Sequence, residues 1–115
     1  MKATRSERQA FLRTEYAAYR EARDVDDFTV AWQHLERAHI VAQALLSAHL
    51  RSHWMMLRQA IRDRDLVEGA GQLLRLLLVV PGNLTGRLPA GNSGRARASA
   101  FRPMPVPLDL ERFVQ

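Results

Sequence analysis

All four histidines of the sequence fall within twenty residues, in the segments HLERAHIVAQ and HLRSH. Glu36 precedes His39 by three residues, and His49 precedes His53 by four. If both segments are helical, each spacing places its two side chains one turn apart on the same side of a helix. Imidazole and carboxylate groups brought together in this way are typical ligands of a transition-metal ion. The two segments therefore predict a metal site between neighbouring helices.

The helical periodicity also predicts how these side chains converge. At about 100° per residue, His39 lies inside the apolar stripe of its helix, and Glu36 lies at the edge of that stripe. In an antiparallel hairpin that turns between the two segments, His39 faces a position beside His53, while His34 points away. A weak internal repeat of 38 residues aligns Glu15 with His53. The predicted metal ligands, with donor atoms within about 5 Å of a common point, are Glu36, His39, His49, His53 and Glu15.

The same residues allow a second interpretation. A single Glu-x-x-His is common on helices, and a buried histidine is more often hydrogen-bonded than bound to a metal. The cluster is therefore either a metal site or a set of polar side chains without a binding role on a helical hairpin. For a metal site, a single Glu-x-x-His favours one ion over two. The divalent transition metal is iron, zinc, manganese or copper, which the sequence does not distinguish. An open coordination position would support redox or oxygen chemistry, as in a non-haem metal-dependent oxidoreductase, and whether the protein is an enzyme stays open.

The elements that position these residues are predicted to be helices, because the first 68 residues contain no glycine or proline. Helices are predicted at residues 5–23, 28–44, 48–62 and 66–79. Asp27 and Asp65 are predicted to cap the second and fourth helices, and Ser47 the third. Pro81 and Gly82 are predicted to end the fourth helix. The predicted fold is all-α, with four antiparallel helices forming two stacked αα-hairpins, helical-repeat or bundle-like, over residues 1–81.

The third helix is predicted to turn an apolar stripe towards the core. This stripe consists of Leu50, Trp54, Leu57 and Ile61. His49 and His53 lie together on one flank of it, towards the second helix.

Residues 82–115 are predicted to form an extended strap packed on the helices, within the same domain. The segment is rich in glycine and proline, which exclude a long helix. Its apolar side chains argue against a solvated linker, so Phe101, Met104 and Leu108 are predicted to be buried. A last helical turn is predicted from Asp109.

The strap contains its own candidate binding element, the stretch PAGNSGRARA. Successive small residues with free backbone N–H groups, followed by two arginines, are typical of an anion-binding nest. The alternative is a structural turn in which Gly91 and Gly94 adopt positive φ angles.

The composition limits the classes of partner. A chain of 115 residues with no cysteine indicates one domain without disulfides or thiolate metal sites. The net charge of +5 is spread thinly and lacks interleaved aromatic residues, which argues against nucleic acid. Neither a membrane span nor a signal peptide is predicted, so a cytoplasmic protein is expected. The remaining partners are a metal ion and a protein, including a second copy of the chain.

The segments AWQHLERAHIVAQ, HLRSHW, GQLLRL and PAGNSGRARASAFRPMPVPLDL resemble a bacterial family of short proteins known as domain-of-unknown-function family 3703. The resemblance implies no activity, fold or cofactor. It implies only that Glu36, His39, His49 and His53 occupy polar positions of the family's motif. The sequence thus supports two hypotheses: a small helical metal-binding protein with a buried His/Glu site, or a non-catalytic helical-hairpin module that binds another protein.

Overall fold

The structure, a computed structural model, describes residues 2–86, 88–98 and 102–114. Over these ranges it contains helices and no β-strand: α1 (Arg5–Asp24), α2 (Phe28–Ala42), α3 (Leu46–Arg62), α4 (Leu66–Thr85), a 3-10 turn (Leu108–Leu110) and α5 (Glu111–Val114). Helices α1 and α2 pack together, as do α3 and α4, and α2 also packs on α3. The predicted all-α fold of two stacked hairpins is confirmed. None of the helices described is both long and apolar enough to cross a membrane.

The turns of the two hairpins have the same geometry. Asp26 and Arg64, which are 38 residues apart, are the two non-glycine residues with positive φ in the described chain, at 57° and 58°. The next residue in each turn, Asp27 or Asp65, caps the following helix by accepting a hydrogen bond from a backbone N–H in its first turn. Both predicted aspartate caps are confirmed, and the 38-residue repeat extends to the conformation of the turn.

Helix α3 differs from its prediction in its start and its buried face. It begins at Leu46, after Leu45, which makes no capping hydrogen bond, so Ser47 is not the cap. Trp54 and Ile61, predicted to face the core, are 53% and 66% exposed. The buried residues of α3 are His49, Ser52, His53, Met56, Leu57, Gln59 and Ala60. Polar side chains tolerate burial when they are hydrogen-bonded, and those bonds, rather than apolarity, set the inward face here.

Helix α4 continues past the predicted stop at Pro81 and Gly82. Proline lacks a backbone N–H and removes one hydrogen bond from a helix, but it does not have to end it. The hydroxyl of Thr85 donates to the carbonyl of Pro81, at 2.8 Å, within the final turn. The helix ends at Gly86, whose φ of 69° is the left-handed conformation typical of a helix C-terminus.

The C-terminal residues pack on the first hairpin and form hydrogen bonds with it. Leu110 and Phe113 are buried in the core between the hairpin and α5. The buried guanidinium of Arg8 donates to the carbonyl of Phe113 at 2.8 Å and to that of Val41 at 2.6 Å. One arginine of α1 therefore joins the end of α2 to α5.

Burial along the strap differs from the prediction. Leu108, predicted to be buried, is 85% exposed, and Met104 is only partly buried. Phe101 lies outside the described residues. In the described part of the strap, the buried apolar side chains are instead Leu110 and Phe113. The final helical turns pack on α2, and the ring of Phe113 contacts Phe11 of α1.

Candidate metal centre

Three imidazoles meet between the two hairpins. His39 lies on α2, His49 and His53 lie one turn apart on α3, and all three are buried. The Nε2 atom of His39 is 3.2 Å from that of His53 and 3.2 Å from that of His49, and the latter two atoms are 3.1 Å apart. The three Nε2 atoms therefore form a nearly equilateral triangle.

The other ring nitrogen of His39 is bound to the strap. Its Nδ1 lies 2.7 Å from the backbone carbonyl oxygen of Asn92. A carbonyl oxygen only accepts hydrogen bonds, so the Nδ1 of His39 must carry the hydrogen. In the neutral ring, Nε2 is then the unprotonated nitrogen.

The end of α4 fixes the tautomer of His49. Its Nδ1 lies 2.8 Å from Oδ1 of Asn83. The Nδ2 of Asn83 donates to the carbonyl of Gln43 at 2.8 Å, which determines which side of the amide faces the histidine. His49 therefore also donates from Nδ1, and its partner lies in the part of α4 that extends beyond Pro81.

His53 is oriented by an amide in the same way. Its Nδ1 lies 2.7 Å from Oε1 of Gln72. The Nε2 of Gln72 donates to the Glu68 carboxylate at 2.8 Å and to the carbonyl of Gly94 at 2.9 Å. Because those two acceptors fix the NH₂ group of Gln72, its oxygen is the atom that accepts from His53.

All three rings thus point an unprotonated Nε2 at the same place. Burial, together with the neighbouring imidazoles, holds the pKa of His39 well below its usual value. Burial also lowers the pKa of His49, and it lowers that of His53 to about 4. At neutral pH the rings are neutral, so three lone pairs face one another at 3.1–3.2 Å with no hydrogen between them. This arrangement is repulsive unless a cation lies among them.

The triangle has the dimensions of a three-histidine metal site. Zinc–nitrogen bonds are about 2.0–2.1 Å long, which separates the nitrogens of a tetrahedral centre by about 3.3 Å. The observed separations of 3.1–3.2 Å lie close to that value. Within the described residues, His39, His49 and His53 are the cluster of side chains able to hold a metal ion, with ligand atoms within 4.8 Å of one another.

A cavity of about 210 Å³ adjoins the three imidazoles. His39, His49 and His53 contribute to its lining. The other lining residues are Gln43, Arg75, Leu78, Val79, Pro81, Gly82, Thr85, Leu88 and Asn92. The cavity therefore gives a small molecule access to the side of the cluster that these three histidines line.

The predicted carboxylate ligands lie elsewhere. Glu15 is buried on α1, where its carboxylate accepts from His34 Nδ1 at 2.7 Å and from Arg37 Nε at 2.9 Å. The prediction placed Glu15 next to His39 by assuming that α1 faces that side of α2. In the structure α1 instead meets the side of α2 that carries His34 and Arg37.

Glu36 is half-buried and directed away from the imidazoles. It lines a surface hollow with Trp32 and Arg95, and burial raises its pKa while the charge of Arg95 opposes the shift. Three residues correspond to about 300° of helix rotation, so Glu36 lies about 60° from His39 around α2. That angle alone would allow a shared site, but the Glu36 side chain lies in the hollow beside Arg95, and the structure does not bring it into the histidine cluster.

The residues that orient the imidazoles were not predicted. The Nδ1 partners are Asn92, Asn83 and Gln72, which lie 30 or more residues from His39 in sequence. Of the segments that contain these partners, only the GNSG stretch had been singled out from the sequence, where one interpretation was a turn with two positive φ angles. Gly91 and Gly94 do adopt them, at 73° and 82°.

The anion-binding groups of the PAGNSGRARA stretch bind a carboxylate of the same chain. The backbone N–H of Ala96 donates to the buried Glu68 carboxylate at 2.6 Å, and Arg95 pairs with the same carboxylate at 2.6 Å. Glu68 is therefore the anion that these groups bind, and it also holds Gln72 in place. The stretch serves as a structural turn that supports the histidine cluster.

A sequence profile of the family described as "Protein of unknown function (DUF3703)" matches residues 6–114. The match spans nearly the whole chain and confirms the resemblance found in the histidine and GNSG segments. No curated protein and no solved structure matches the sequence.

Proposed function

The chain belongs to the DUF3703 family of proteins of unknown function, and we propose from its site that it binds one transition-metal ion through the Nε2 atoms of His39, His49 and His53. The supporting observation is that three buried, neutral imidazoles direct unprotonated nitrogens to one point. A hydrogen bond from each Nδ1 holds its ring in that orientation, as is usual for metal-binding histidines. Removing three imidazoles from water for packing alone would leave their lone pairs unsatisfied.

The donor set narrows the choice of metal. The three ligands are neutral imidazoles, and the sequence contains no cysteine. Imidazole suits zinc, copper and iron, whereas manganese prefers oxygen ligands. Because neither Glu15 nor Glu36 reaches the cluster, the site also differs from the two-histidine, one-carboxylate centres of many iron oxygenases. Zinc, copper and ferrous iron are therefore the proposed ions.

The number of ligands favours a reactive site over a structural one. Structural zinc sites are closed by four protein ligands, whereas catalytic sites have three and leave one position for water or substrate. Three imidazoles beside a cavity match the second pattern. We propose that the ion acts as a Lewis acid on a small molecule or water held in the cavity. Iron or copper at the same position would add redox chemistry.

Elemental analysis of protein purified without a histidine tag tests this proposal. We expect close to one equivalent of zinc, copper or iron per chain, lost on dialysis against a chelator and regained on incubation with the ion. Protein that is folded, contains well under one equivalent of metal and takes up none of the three ions would contradict it.

A second candidate function rests on the outer face of α4. Exposed apolar residues recur there at alternating spacings of four and three, and we refer to them as the α4 seam: Leu66, Ala70, Leu73, Leu77, Val80 and Leu84. Spacings that average 3.5 residues are those of helices paired in a coiled coil. Leu77 and Leu84 are 76% and 78% exposed, which leaves most of each side chain free to contact a second copy. We propose that the α4 seam pairs with that of a second copy.

Sedimentation measurements on a double variant, Leu73→Glu with Leu77→Glu, test the pairing. We expect the native chain to sediment as a dimer and the double variant as a monomer, because four buried carboxylates would face each other across the interface. Ile61→Glu replaces an equally exposed apolar residue on α3 and should leave the dimer intact. A native chain that stays monomeric at its highest soluble concentration would exclude the α4 seam as a dimer interface.

A further inference from the structure

The cavity next to the histidine cluster is lined by a buried arginine that forms no salt bridge with a described residue. Arg75 lines it and is buried, with 8% exposed. Among the ion pairs of the described residues, none includes Arg75. Its NH1 and NH2 groups contact the carbonyls of Gly94, Ala96 and Ala98, which carry no charge. A guanidinium has five N–H groups, so donors remain for a ligand in the cavity.

A divalent ion at the three imidazoles would add positive charge beside Arg75, on which Glu68 acts without forming a salt bridge. The imidazole ligands are neutral, and the buried carboxylate on this side, Glu68, already pairs with Arg95 at 2.6 Å and accepts from Gln72. Buried charges are stable only when paired. The metal ion and Arg75 together therefore favour the binding of an anion in the cavity.

We propose, on the basis of the metal site proposed above, that the cavity binds a small carboxylate with an apolar chain. Its carboxylate lies between the metal ion and Arg75, because guanidinium and carboxylate match as a bidentate pair. The side chain of Gln43 also lines the cavity, so its amide supplies a further donor. The apolar chain contacts Leu78 and Val79 of α4.

The volume of the cavity sets the size of this ligand. A buried cavity of about 150 Å³ accepts benzene, and this cavity measures about 210 Å³. A carboxylate with roughly five to seven carbon atoms therefore fits. Each CH₂ group that moves from water into the cavity raises the affinity about fourfold, so the affinity is expected to rise with chain length over this range.

Titrations of the Co²⁺-loaded protein, followed by visible absorption, test the proposal. We expect hexanoate to change the cobalt spectrum at concentrations up to about 200-fold lower than acetate does, from four additional CH₂ groups. The neutral analogue 1-hexanol should compete at least about tenfold more weakly than hexanoate, since it lacks the charge that pairs with Arg75.

Two variants locate the ligand. Arg75→Gln should weaken hexanoate binding by about tenfold or more, with partial rescue in Arg75→Lys. Since Arg75 also holds the strap, Leu78→Trp provides a test that keeps those hydrogen bonds: it fills the cavity and should weaken hexanoate binding but not acetate binding. Failure to take up Co²⁺ would overturn the metal site and this inference together. Co²⁺ uptake with equal responses to hexanoate, acetate and 1-hexanol would overturn this inference alone.

Discussion

His53→Asn is expected to abolish metal binding while leaving the metal-free protein about as stable as the native chain. The amide nitrogen of an asparagine can occupy the place of the His53 Nδ1 and donate to Gln72, 2.7 Å away in the native structure. The substitution removes Nε2, the nitrogen aimed at the proposed metal ion. It therefore separates the role of His53 as a ligand from its role in the hydrogen-bond network.

The size of the effect follows from linkage between metal binding and folding. A metal present at about 1,000 times its dissociation constant stabilises the folded state by about 4 kcal/mol. For a domain of this size, this corresponds to a rise in Tm on the order of 15 °C. We expect zinc to produce that rise in chelator-treated native protein and none in His53→Asn, as measured by circular dichroism melts with and without the ion.

The metal-free variant provides a further test of the lone-pair argument. Removing one of three facing Nε2 atoms relieves their repulsion, so the Tm of metal-free His53→Asn should equal or exceed that of the metal-free native chain. The matched control is His34→Asn, since His34 bonds Glu15 through Nδ1 at 2.7 Å and lies outside the cluster. This control should retain the full response to zinc. A zinc response preserved in His53→Asn would show that His53 is not a ligand and would contradict the three-histidine site.

The parts of the fold that were predicted correctly depend on local sequence. The helices α2 and α4 begin after Asp27 and Asp65 because each aspartate side chain accepts a hydrogen bond from the backbone N–H three residues later. His39, His49 and His53 come together through a short antiparallel hairpin and an i, i+4 spacing, both of which can be read from neighbouring residues. Their convergence was therefore predictable without knowledge of the rest of the chain.

The errors arise where distant elements decide the outcome. The position of Glu15 depends on which side of α2 meets α1, and helical periodicity does not specify that choice. The same applies to Trp54 and Ile61: their apolar spacing predicted the core face of α3, yet hydrogen bonds to Asn83 and Gln72 of α4 allow His49 and His53 to be buried instead. A hydrogen-bonded polar face can thus replace an apolar one, and its partners lie too far along the chain to be predicted.

Gly94 is the residue of the strap on which the cluster depends most directly. Its φ of 82° favours glycine, and an added Cβ would lie 2.7 Å from Cγ and Cδ2 of the His39 ring. Its carbonyl accepts from Gln72, the residue that orients His53. Its N–H donates to the side chain of Asn92, whose backbone carbonyl accepts from His39. A shift of this one backbone position therefore disturbs two of the three imidazoles.

Gly94→Ala is consequently expected to lower both stability and metal affinity. The left-handed conformation costs a non-glycine residue about 1–2 kcal/mol, and displacement of the His39 ring adds to this, for a total of about 3 kcal/mol. Loss of the hydrogen bonds that orient the ligands should weaken zinc binding by about 10- to 100-fold, measured by competition with a chromophoric chelator.

Gly86→Ala is the matched control, because Gly86 also has a positive φ, of 69°, but no atom lies within 4 Å of its added Cβ. This control should show only the backbone cost of about 1–2 kcal/mol, with zinc affinity unchanged. If both variants bind zinc like the native chain, the strap does not hold the imidazoles in place.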